Sequence, residues 1–148
     1  MLKSKLSKIL SKNDTGETHS HQSGISIPKF IANEGIFPHL GTETLNPRLT
    51  VTFVDEDDQI WFFQYIYYND VFFGKEKAKA HNEFRLTCVK DYIRHNSICS
   101  GDEIWFGIDE SGIRRIGFLK SPTRDKYEKD DEGNVVISIK GGWHYVRY

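Results

Sequence analysis

The chain has 148 residues, of which 38% are hydrophobic and 28% are charged, and its formal net charge is −1. This length is enough for one domain with a hydrophobic core, and no apolar run approaches the roughly 20 residues that a membrane-spanning helix needs. The chain lacks the overall basic charge of many nucleic-acid-binding proteins, so such a function would have to come from the local distribution of its charges.

The N-terminal residues combine lysines with spaced leucine and isoleucine side chains. Leu2, Leu6, Ile9 and Leu10 could form one face of a basic amphipathic helix, whereas residues 5–10, read with a period of two, could form a first strand. Because the lysines interrupt every hydrophobic stretch, the segment is unlike a signal peptide. We expect it to belong to a structured cytosolic protein rather than to a membrane anchor.

A polar loop is predicted for residues 13–24, which are rich in turn-forming side chains. Residues 24–27 then alternate apolar and polar side chains, as in a short strand. Pro28 suits the first position of a short helix over Lys29–Asn33, because its missing N–H would be unpaired there in any case.

A central hairpin is predicted from two neighbouring strand patterns. Leu49–Val54 alternates apolar and polar side chains, as in a half-buried strand, and Ile60–Tyr68 is a longer, aromatic strand. The acidic run Asp55–Asp58 forms the turn between them. Further extended segments are predicted over Val71–Phe73, Phe84–Thr87, Glu103–Ile108, Ile113–Leu119, Val135–Ile139 and Trp143–Arg147.

The best helix is predicted over Cys88–Asn96, where Val89, Tyr92 and Ile93 share one apolar face. Cys88, which would open this helix, and Cys99 lack the spacing of a metal site, so both are expected to be buried thiols. The chain therefore has about eight strands and two short helices in one domain, residues 1–148. Closing the strands into a barrel, with helices at its ends, would leave few unpaired edges.

Two segments mix basic and hydrogen-bonding side chains next to predicted strands, residues 12–24 and 74–85. Arginine can donate two hydrogen bonds to guanine, asparagine matches adenine, and glutamate accepts from the cytosine amino group, whereas lysines suit phosphates. Acidic residues concentrate elsewhere, in residues 55–58 and 128–132, at predicted hairpin tips. The two segments could bracket a major groove; ordinary surface loops are the alternative.

Two nuclease motifs are present in this chain only in part. Glu103 is followed by Ile-Trp instead of the Glu-x-Lys pattern of many metal-dependent nucleases, and His81-Asn82-Glu83 lacks the second histidine of a His-Asn-His nuclease. We assign no catalytic residue, metal or cofactor. A small stand-alone metal-dependent nuclease is the alternative to a binding module, and a barrel that binds protein or RNA is a third possibility.

Several motifs resemble, in the same order, the N-terminal effector domain of EcoRII-type restriction endonucleases over roughly residues 8–108. They are KNDTGETHSHQSGISIP at residues 12–28, Leu45-Asn46-Pro47, YIYYN at residues 65–69, Phe73-Gly74-Lys75 and NEFRLT at residues 82–87. The resemblance implies a mainly β, open seven- to eight-stranded DNA-binding pseudobarrel with two short helices, the fold of plant auxin-response transcription factors. An N-arm (about residues 12–26) and a C-arm (about residues 74–87) would read a duplex site resembling CCWGG or CCNGG through the major groove.

Hydrogen-bonding chemistry and the resemblance together identify candidate contact residues in both arms. Base reading is expected from His21, His81, Asn82, Glu83 and Arg85. Phosphate contacts are expected from Lys12, Asn13, Ser26, Lys75, Lys77 and Lys79. The chain departs from the family at His81, where the relative has arginine, at Phe84, where it has lysine, and in about four extra residues, Lys77–Ala80.

The resemblance ends before the nuclease half of such enzymes. It implies double-stranded DNA as partner, with a nuclease domain of the same or a partner chain as a further one. No membrane and no cofactor are expected for this domain, since magnesium would be needed only by the associated nuclease. The chain has no room for a second catalytic domain of comparable size, so it is either a stand-alone binder or part of a longer enzyme of the prokaryotic cytosol.

Overall fold

In a computed structural model of the chain, a single curled sheet contains all nine strands of the described residues. Those residues are 1–18, 24–74, 81–121 and 142–148, together with the backbone of 137–139. The strands are β1 (Leu2–Ile9), β2 (Ile25–Ile27), β3 (Arg48–Val54), β4 (Ile60–Tyr68), β5 (Glu83–Thr87), β6 (Glu103–Asp109), β7 (Arg114–Leu119), β8 (Ile137–Ile139) and β9 (Trp143–Arg147). The helices are α1 (Lys12–Thr15), α2 (Lys90–His95) and the 3₁₀ helices Lys29–Asn33 and Asp70–Phe72. The prediction of a mainly β protein with two short helices is confirmed, with one strand more than expected.

The sheet has two antiparallel halves that meet at one parallel contact. The strand order is β2-β5-β4-β3-β7-β6-β1-β9-β8, and β3 pairs with β7 only at Val54 and Arg115. The sheet curls around this junction, because aromatic side chains from both halves pack together inside. Phe53 of β3 lies 5.3 Å from Phe106 of β6 between ring centroids, and Phe37 stacks on Tyr65 of β4 at 5.0 Å.

Helix α2 covers one end of this core. Tyr92 packs edge-on against Trp61 at 5.2 Å and also contacts Phe63 and Phe118. These contacts explain why Trp61 and Phe63 of β4 face the core, whereas Phe62 between them is exposed. Among the described residues, no helix has the length and apolar character to cross a bilayer.

The structure decides one open alternative in favour of the strand, and two local predictions were wrong. The N-terminal segment is strand β1, which pairs with β6 and β9, so the amphipathic-helix alternative is excluded. The polar segment after β1 begins with helix α1 instead of a loop, because Ser11 and Asp14 form a reciprocal capping box. The segment Val71–Phe73 is not extended: Asp70–Phe72 is a 3₁₀ helix closed by bonds to the carbonyls of Asn69 and Asp70.

The prediction of two buried thiols was also wrong, since both cysteines are exposed. Cys88 does not open α2, which begins at Lys90. Its backbone has φ +63°, in the left-handed region, and it turns the chain from β5 towards the helix. This backbone reversal directs the Cys88 side chain outward. The apolar pattern of the neighbouring residues does not indicate such a reversal.

The acidic run Asp55–Asp58 forms the tip of the β3–β4 hairpin, as predicted. The carboxylate of Asp55 accepts hydrogen bonds from the backbone of Asp57 and Gln59 and from the indole of Trp61, at 2.8–2.9 Å. Burial raises the pKa of Asp55, but these hydrogen bonds outweigh burial and hold the pKa below its ordinary value. The second acidic run, residues 128–132, lies outside the described residues.

Candidate nucleic-acid interface

The two predicted arms join the sheet at opposite ends of one short ladder. Strands β2 and β5 are antiparallel, with Ser26 directly opposite Arg85. The N-arm therefore reaches the sheet beside the last residue of β5, Thr87, and the C-arm reaches it at the first, Glu83. With about 3.4 Å per residue, these two points lie ~13 Å apart, which is close to the ~12 Å width of the B-DNA major groove.

Along β2 and β5, side chains that face the core alternate with side chains that face the candidate interface. Ile25, Ile27 and Leu86 are buried in the core, and Phe84 stacks on Tyr67 with ring centroids 4.3 Å apart. The intervening side chains, Ser26, Glu83 and Arg85, consequently share the opposite face of the sheet. We call this face of β2, β5, β4 and β3 the outer face.

On the outer face Glu83 and Arg85 form a partly buried ion pair. Nε of Arg85 donates to Oε1 of Glu83 at 3.2 Å, and the side chains are 14% (Arg85) and 32% (Glu83) exposed. Ser26 Oγ donates to Oε2 of Glu83 at 3.5 Å, and Nη1 of Arg85 donates to the carbonyl of Gly24 at 3.5 Å. The root of the N-arm is thus bonded to the two C-arm residues predicted to read a G·C pair.

Asn82 is held by the aromatic strand β4. Its Oδ1 accepts a hydrogen bond from the hydroxyl of Tyr67 at 2.7 Å, and the Tyr67 ring is fixed by its stack on Phe84. A carbonyl oxygen has two lone pairs, so this bond orients the amide while leaving capacity for another donor.

His81 is fastened to the 3₁₀ helix that precedes the C-arm. Its backbone N–H donates to Oδ1 of Asp70, and its Nδ1 lies 3.2 Å from Oδ2 of the same carboxylate. The backbone N–H of Val71 in turn donates to the His81 carbonyl at 3.3 Å. Asp70, which precedes the C-arm, is therefore joined to His81 within it, while half of the His81 side chain stays exposed.

The start of the N-arm is the capped helix α1, which carries Lys12 and Asn13 on its exposed side. Asp14, in the same turn, is buried and forms an ion pair with Lys8 of β1 at 2.8 Å. The Lys8–Asp14 ion pair holds the start of the N-arm against the sheet. Oδ1 of Asn13 accepts a hydrogen bond from the hydroxyl of Thr18 at 2.5 Å.

Four predicted contact residues lie outside the described residues: His21, Lys75, Lys77 and Lys79. For the others, the structure brings Ser26, Glu83 and Arg85 into one network and puts Asn82 and His81 beside it along the chain. It places Lys12 and Asn13 separately, on α1. The assigned roles in DNA contact are still predictions.

Sequence reasoning missed the residues that support the arms. Gly24 has φ +92°, and a Cβ there would lie 2.3 Å from the carbonyl oxygen of Leu86, so the N-arm can meet β5 only through a glycine. Asn69 is fully buried. Its side chain accepts a hydrogen bond from the backbone N–H of Asn46 at 2.8 Å and donates to the carbonyl of Thr44 at 2.9 Å, and its backbone N–H donates to Oδ1 of Asn46 at 3.2 Å. The polar end of the YIYYN motif, directly after an apolar strand, was the available signal for Asn69.

Within the described part of the chain, no group of three His, Cys, Asp or Glu side chains is placed to hold a metal ion.

Comparisons with known proteins identify the family that this chain resembles. A family model described as "Restriction endonuclease EcoRII, N-terminal" matches residues 4–93. The type II restriction enzyme EcoRII of Escherichia coli is 42% identical over 83 residues, which cover 54% of this chain and 19% of that enzyme. The chain thus spans about a fifth of the length of this relative.

A solved structure has the same fold. The Arabidopsis FUS3–DNA complex matches with a TM-score of 0.57 and 21% identity, over 78% of this chain and 96% of the FUS3 chain. At this identity the likeness concerns the fold alone. It confirms the prediction of the DNA-binding pseudobarrel fold used by plant transcription factors.

Proposed function

The chain belongs to the family of the N-terminal domain of restriction endonuclease EcoRII, and on that premise we propose that it binds double-stranded DNA sequence-specifically, as a recognition or effector domain. The observation that carries the proposal is the register of Ser26 opposite Arg85. In this register the points at which the two predicted arms join the sheet, beside Thr87 and at Glu83, are about one groove width apart, and Arg85 lies between them. FUS3, which shares the fold, was solved bound to DNA.

The proposed target resembles CCWGG or CCNGG and is read through the major groove. Arg85 suits guanine, whose O6 and N7 accept a pair of hydrogen bonds, and Glu83 suits the amino group of cytosine. Asn82, His81 and His21 would complete base reading. Two such side chains on one sheet face fit a site with G·C pairs at its ends.

The Glu83–Arg85 ion pair is compatible with this role. Ion pairs with solvent access contribute only about 0–1 kcal/mol, so exchanging one of its hydrogen bonds for a base contact costs little. Meanwhile the pair prevents either side chain from collapsing onto the sheet. The free protein thereby holds both groups near the positions from which they would contact a base pair.

Phosphate contacts are proposed for Lys12, Asn13, Ser26, Lys75, Lys77 and Lys79. The Ser26 hydroxyl donates to Glu83 in the free protein, so a phosphate contact would require it to rotate. These contacts would set position and orientation, and together they would make affinity fall steeply with salt.

We further propose that the chain works with a nuclease domain, of the same or of a partner chain, in the cytosol of a prokaryotic cell. The relative that it matches is a type II restriction enzyme about five times as long as the matched region. Magnesium would then be needed for cleavage by that nuclease domain and not for DNA binding by this one.

A mobility-shift series tests the proposed function. Duplexes containing CC-N-GG sites with each central base are titrated with the purified chain at two salt concentrations, beside a scrambled duplex of equal composition. We expect tighter binding to one member of the series and weaker binding of all duplexes at the higher salt. Equal affinity for every duplex, or preference for single strands or RNA, would contradict the proposal.

A second assay addresses the stand-alone nuclease. The chain alone is incubated with plasmid and magnesium, and we expect no cleavage. Cleavage that disappears when a single carboxylate is replaced would support the nuclease instead.

A further inference from the structure

One row of side chains crosses the outer face of the sheet and continues beyond the arms. Three successive ladders align Ser26 of β2 with Arg85 of β5, Arg85 with Ile66 of β4, and Ile66 with Arg48 of β3. Directly paired residues point to the same face, so Arg48 lies on the same side of the sheet as the proposed base-reading pair. Arg48 has no place in the family motifs noted in the sequence.

Charge along this row is uneven. The guanidinium of Arg85 is compensated by the Glu83 carboxylate at 3.2 Å. Arg48 is exposed, and within the described residues it forms no ion pair. Among the described residues, its cationic head is therefore the uncompensated charge of the row, and it is accessible to an anionic partner.

Ile66 shows that the outer face is closely covered at this point. It points away from the hydrophobic core, yet it is only 4% exposed. Its cross-strand neighbours on the two sides are Arg48 and Arg85, whose aliphatic stems are long enough to lie over an apolar side chain. Such packing restricts the stem of Arg48 and lets its guanidinium point away from the sheet.

The spacing fits a duplex held by the arms. Two strand spacings of about 4.8 Å separate Arg48 from Arg85, or ~10 Å in all. A base edge on the floor of the major groove is about 10 Å from the phosphates at the rim, given a groove ~12 Å wide and ~8.5 Å deep. An arginine one such step from a base-reading side chain is within reach of a rim phosphate.

The far end of the same hairpin is acidic. Asp55–Asp58 form the tip between β3 and β4, seven residues along β3 from Arg48, or over 20 Å away. A polyanion on the outer face is thus repelled from the tip and drawn towards the Arg48 end. Next to Arg48, Gln64 donates to the hydroxyl of Thr50 at 2.9 Å, which adds neutral hydrogen-bonding groups to this end.

We infer that Arg48, with Thr50 and Gln64 beside it, forms a third DNA contact, a phosphate-binding site on β3 and β4 outside both arms. This inference rests on the proposed function, since it needs a duplex seated between the arms. The site binds backbone phosphate and carries no sequence preference.

The test measures the dissociation constants of Arg48→Ala for the preferred duplex and for a scrambled duplex over a series of salt concentrations. One lost phosphate contact is expected to weaken both complexes by a similar factor, about tenfold at low salt. The slope of log K against log salt is expected to become shallower by about 0.9. Arg48→Lys keeps the charge and is expected to keep the wild-type slope.

Arg94→Ala is the matched control. Arg94 is an exposed arginine of α2, the helix that packs against the core side of β4 through Tyr92 and Trp61, and its loss is expected to leave the slope unchanged. Suppose that the wild-type chain binds duplex DNA. If Arg48→Ala then shows the same slope of log K against log salt as the wild type, or loses affinity only for the preferred duplex, the inference is overturned while the proposed function stands. If the wild-type chain binds no duplex, both are overturned. Thermal unfolding checks that each variant is folded.

Discussion

The hydroxyl of Tyr67 donates a hydrogen bond to Oδ1 of Asn82 at 2.7 Å. This bond joins the aromatic interior of β4 to the root of the C-arm, so that packing in the core determines where a predicted base-reading side chain lies. Tyr65, two residues earlier on the same face of β4, has a buried hydroxyl with no hydrogen-bond partner among the residues that the structure describes. The two tyrosines therefore differ in what their hydroxyl groups contribute.

We predict that Tyr67→Phe lowers the free energy of unfolding by about 1 kcal/mol, the net contribution of one hydrogen bond. It should also weaken binding to the preferred duplex, because Asn82 loses its orienting partner. Tyr65→Phe is the control: removing an unpaired buried hydroxyl should leave stability unchanged or raise it by ~1 kcal/mol. Urea unfolding and the mobility-shift assay measure both effects. Equal losses of stability and of binding in the two variants would show that the Tyr67–Asn82 hydrogen bond is not their cause.

For the Glu83–Arg85 pair the prediction is a double-mutant cycle. Arg85→Ala should cost ~1–3 kcal/mol of binding free energy on the preferred duplex. It should also cost a smaller amount on scrambled DNA, since it leaves the Glu83 carboxylate unpaired near phosphates. Adding Glu83→Ala should restore binding to scrambled DNA but not to the preferred duplex. Purely additive effects on both duplexes would mean that the two side chains act independently.

Asp70 is expected to position the C-arm. In Asp70→Ala the backbone and imidazole of His81 lose their shared acceptor, so amide hydrogen exchange at His81 and Asn82 should become faster. Affinity for the preferred duplex should fall, with little change in the salt dependence, because no phosphate contact is removed. Asp57→Ala, in the exposed β3–β4 tip, serves as the control for loss of an acidic side chain. Unchanged exchange in Asp70→Ala would argue against a positioning role.

Gly24 provides a test of the junction between the N-arm and β5. Gly24→Ala combines a backbone conformation unfavourable for alanine with a contact of 2.3 Å to the Leu86 carbonyl, and should destabilise the fold by about 3 kcal/mol or more. Gly112 has φ +83° and open space around it, so Gly112→Ala should cost only about 1 kcal/mol. Chemical unfolding measures the difference, which isolates the clash from the cost of the backbone angle. Similar losses in both variants would mean that the sheet relaxes around Gly24.

Acid should weaken the fold partly through Asp102, which is buried where β6 begins. Burial raises its pKa, but hydrogen bonds from Lys120 and from the backbone of Cys99 and Ser121 outweigh burial, so the pKa lies below its ordinary value. The unfolded chain then binds the proton more tightly than the folded protein does. The stabilisation is consequently complete above the unfolded pKa, about 3.9, and is lost as the pH falls through the lower, folded pKa.

Asp102→Asn should therefore reduce the free energy of unfolding at pH 7, by about 1–3 kcal/mol for a buried hydrogen-bonded charge. The deficit should shrink as the pH falls below 4. Urea unfolding at several pH values measures it, with the exposed Asp91→Asn of α2 expected to match the wild type throughout. A deficit that is constant with pH would show that the charge of Asp102 contributes nothing.

Local side-chain patterns determined much of this protein from sequence. Ile60–Tyr68 and Trp143–Arg147 are strands over the predicted residues, because alternating or continuous β-branched and aromatic side chains suffice to specify a strand. The family motifs also gave the prediction of the two arms. Short polar segments were less predictable: α1 depends on the Ser11–Asp14 capping box, and the 3₁₀ helix Asp70–Phe72 is closed by two backbone hydrogen bonds.

Only the tertiary structure decided which side chains of the arms meet. Ser26 and Arg85 are far apart in the chain, and nothing local to either residue specifies that they pair. Since β4 also fixes β5, a slip of one residue in the β2–β5 register would turn Ser26 into the core and Ile25 and Ile27 out of it. The ladder, stabilised by burial of Ile25, Ile27 and Leu86, sets that register, and the β5–β4 and β4–β3 ladders place Arg48 on the same face.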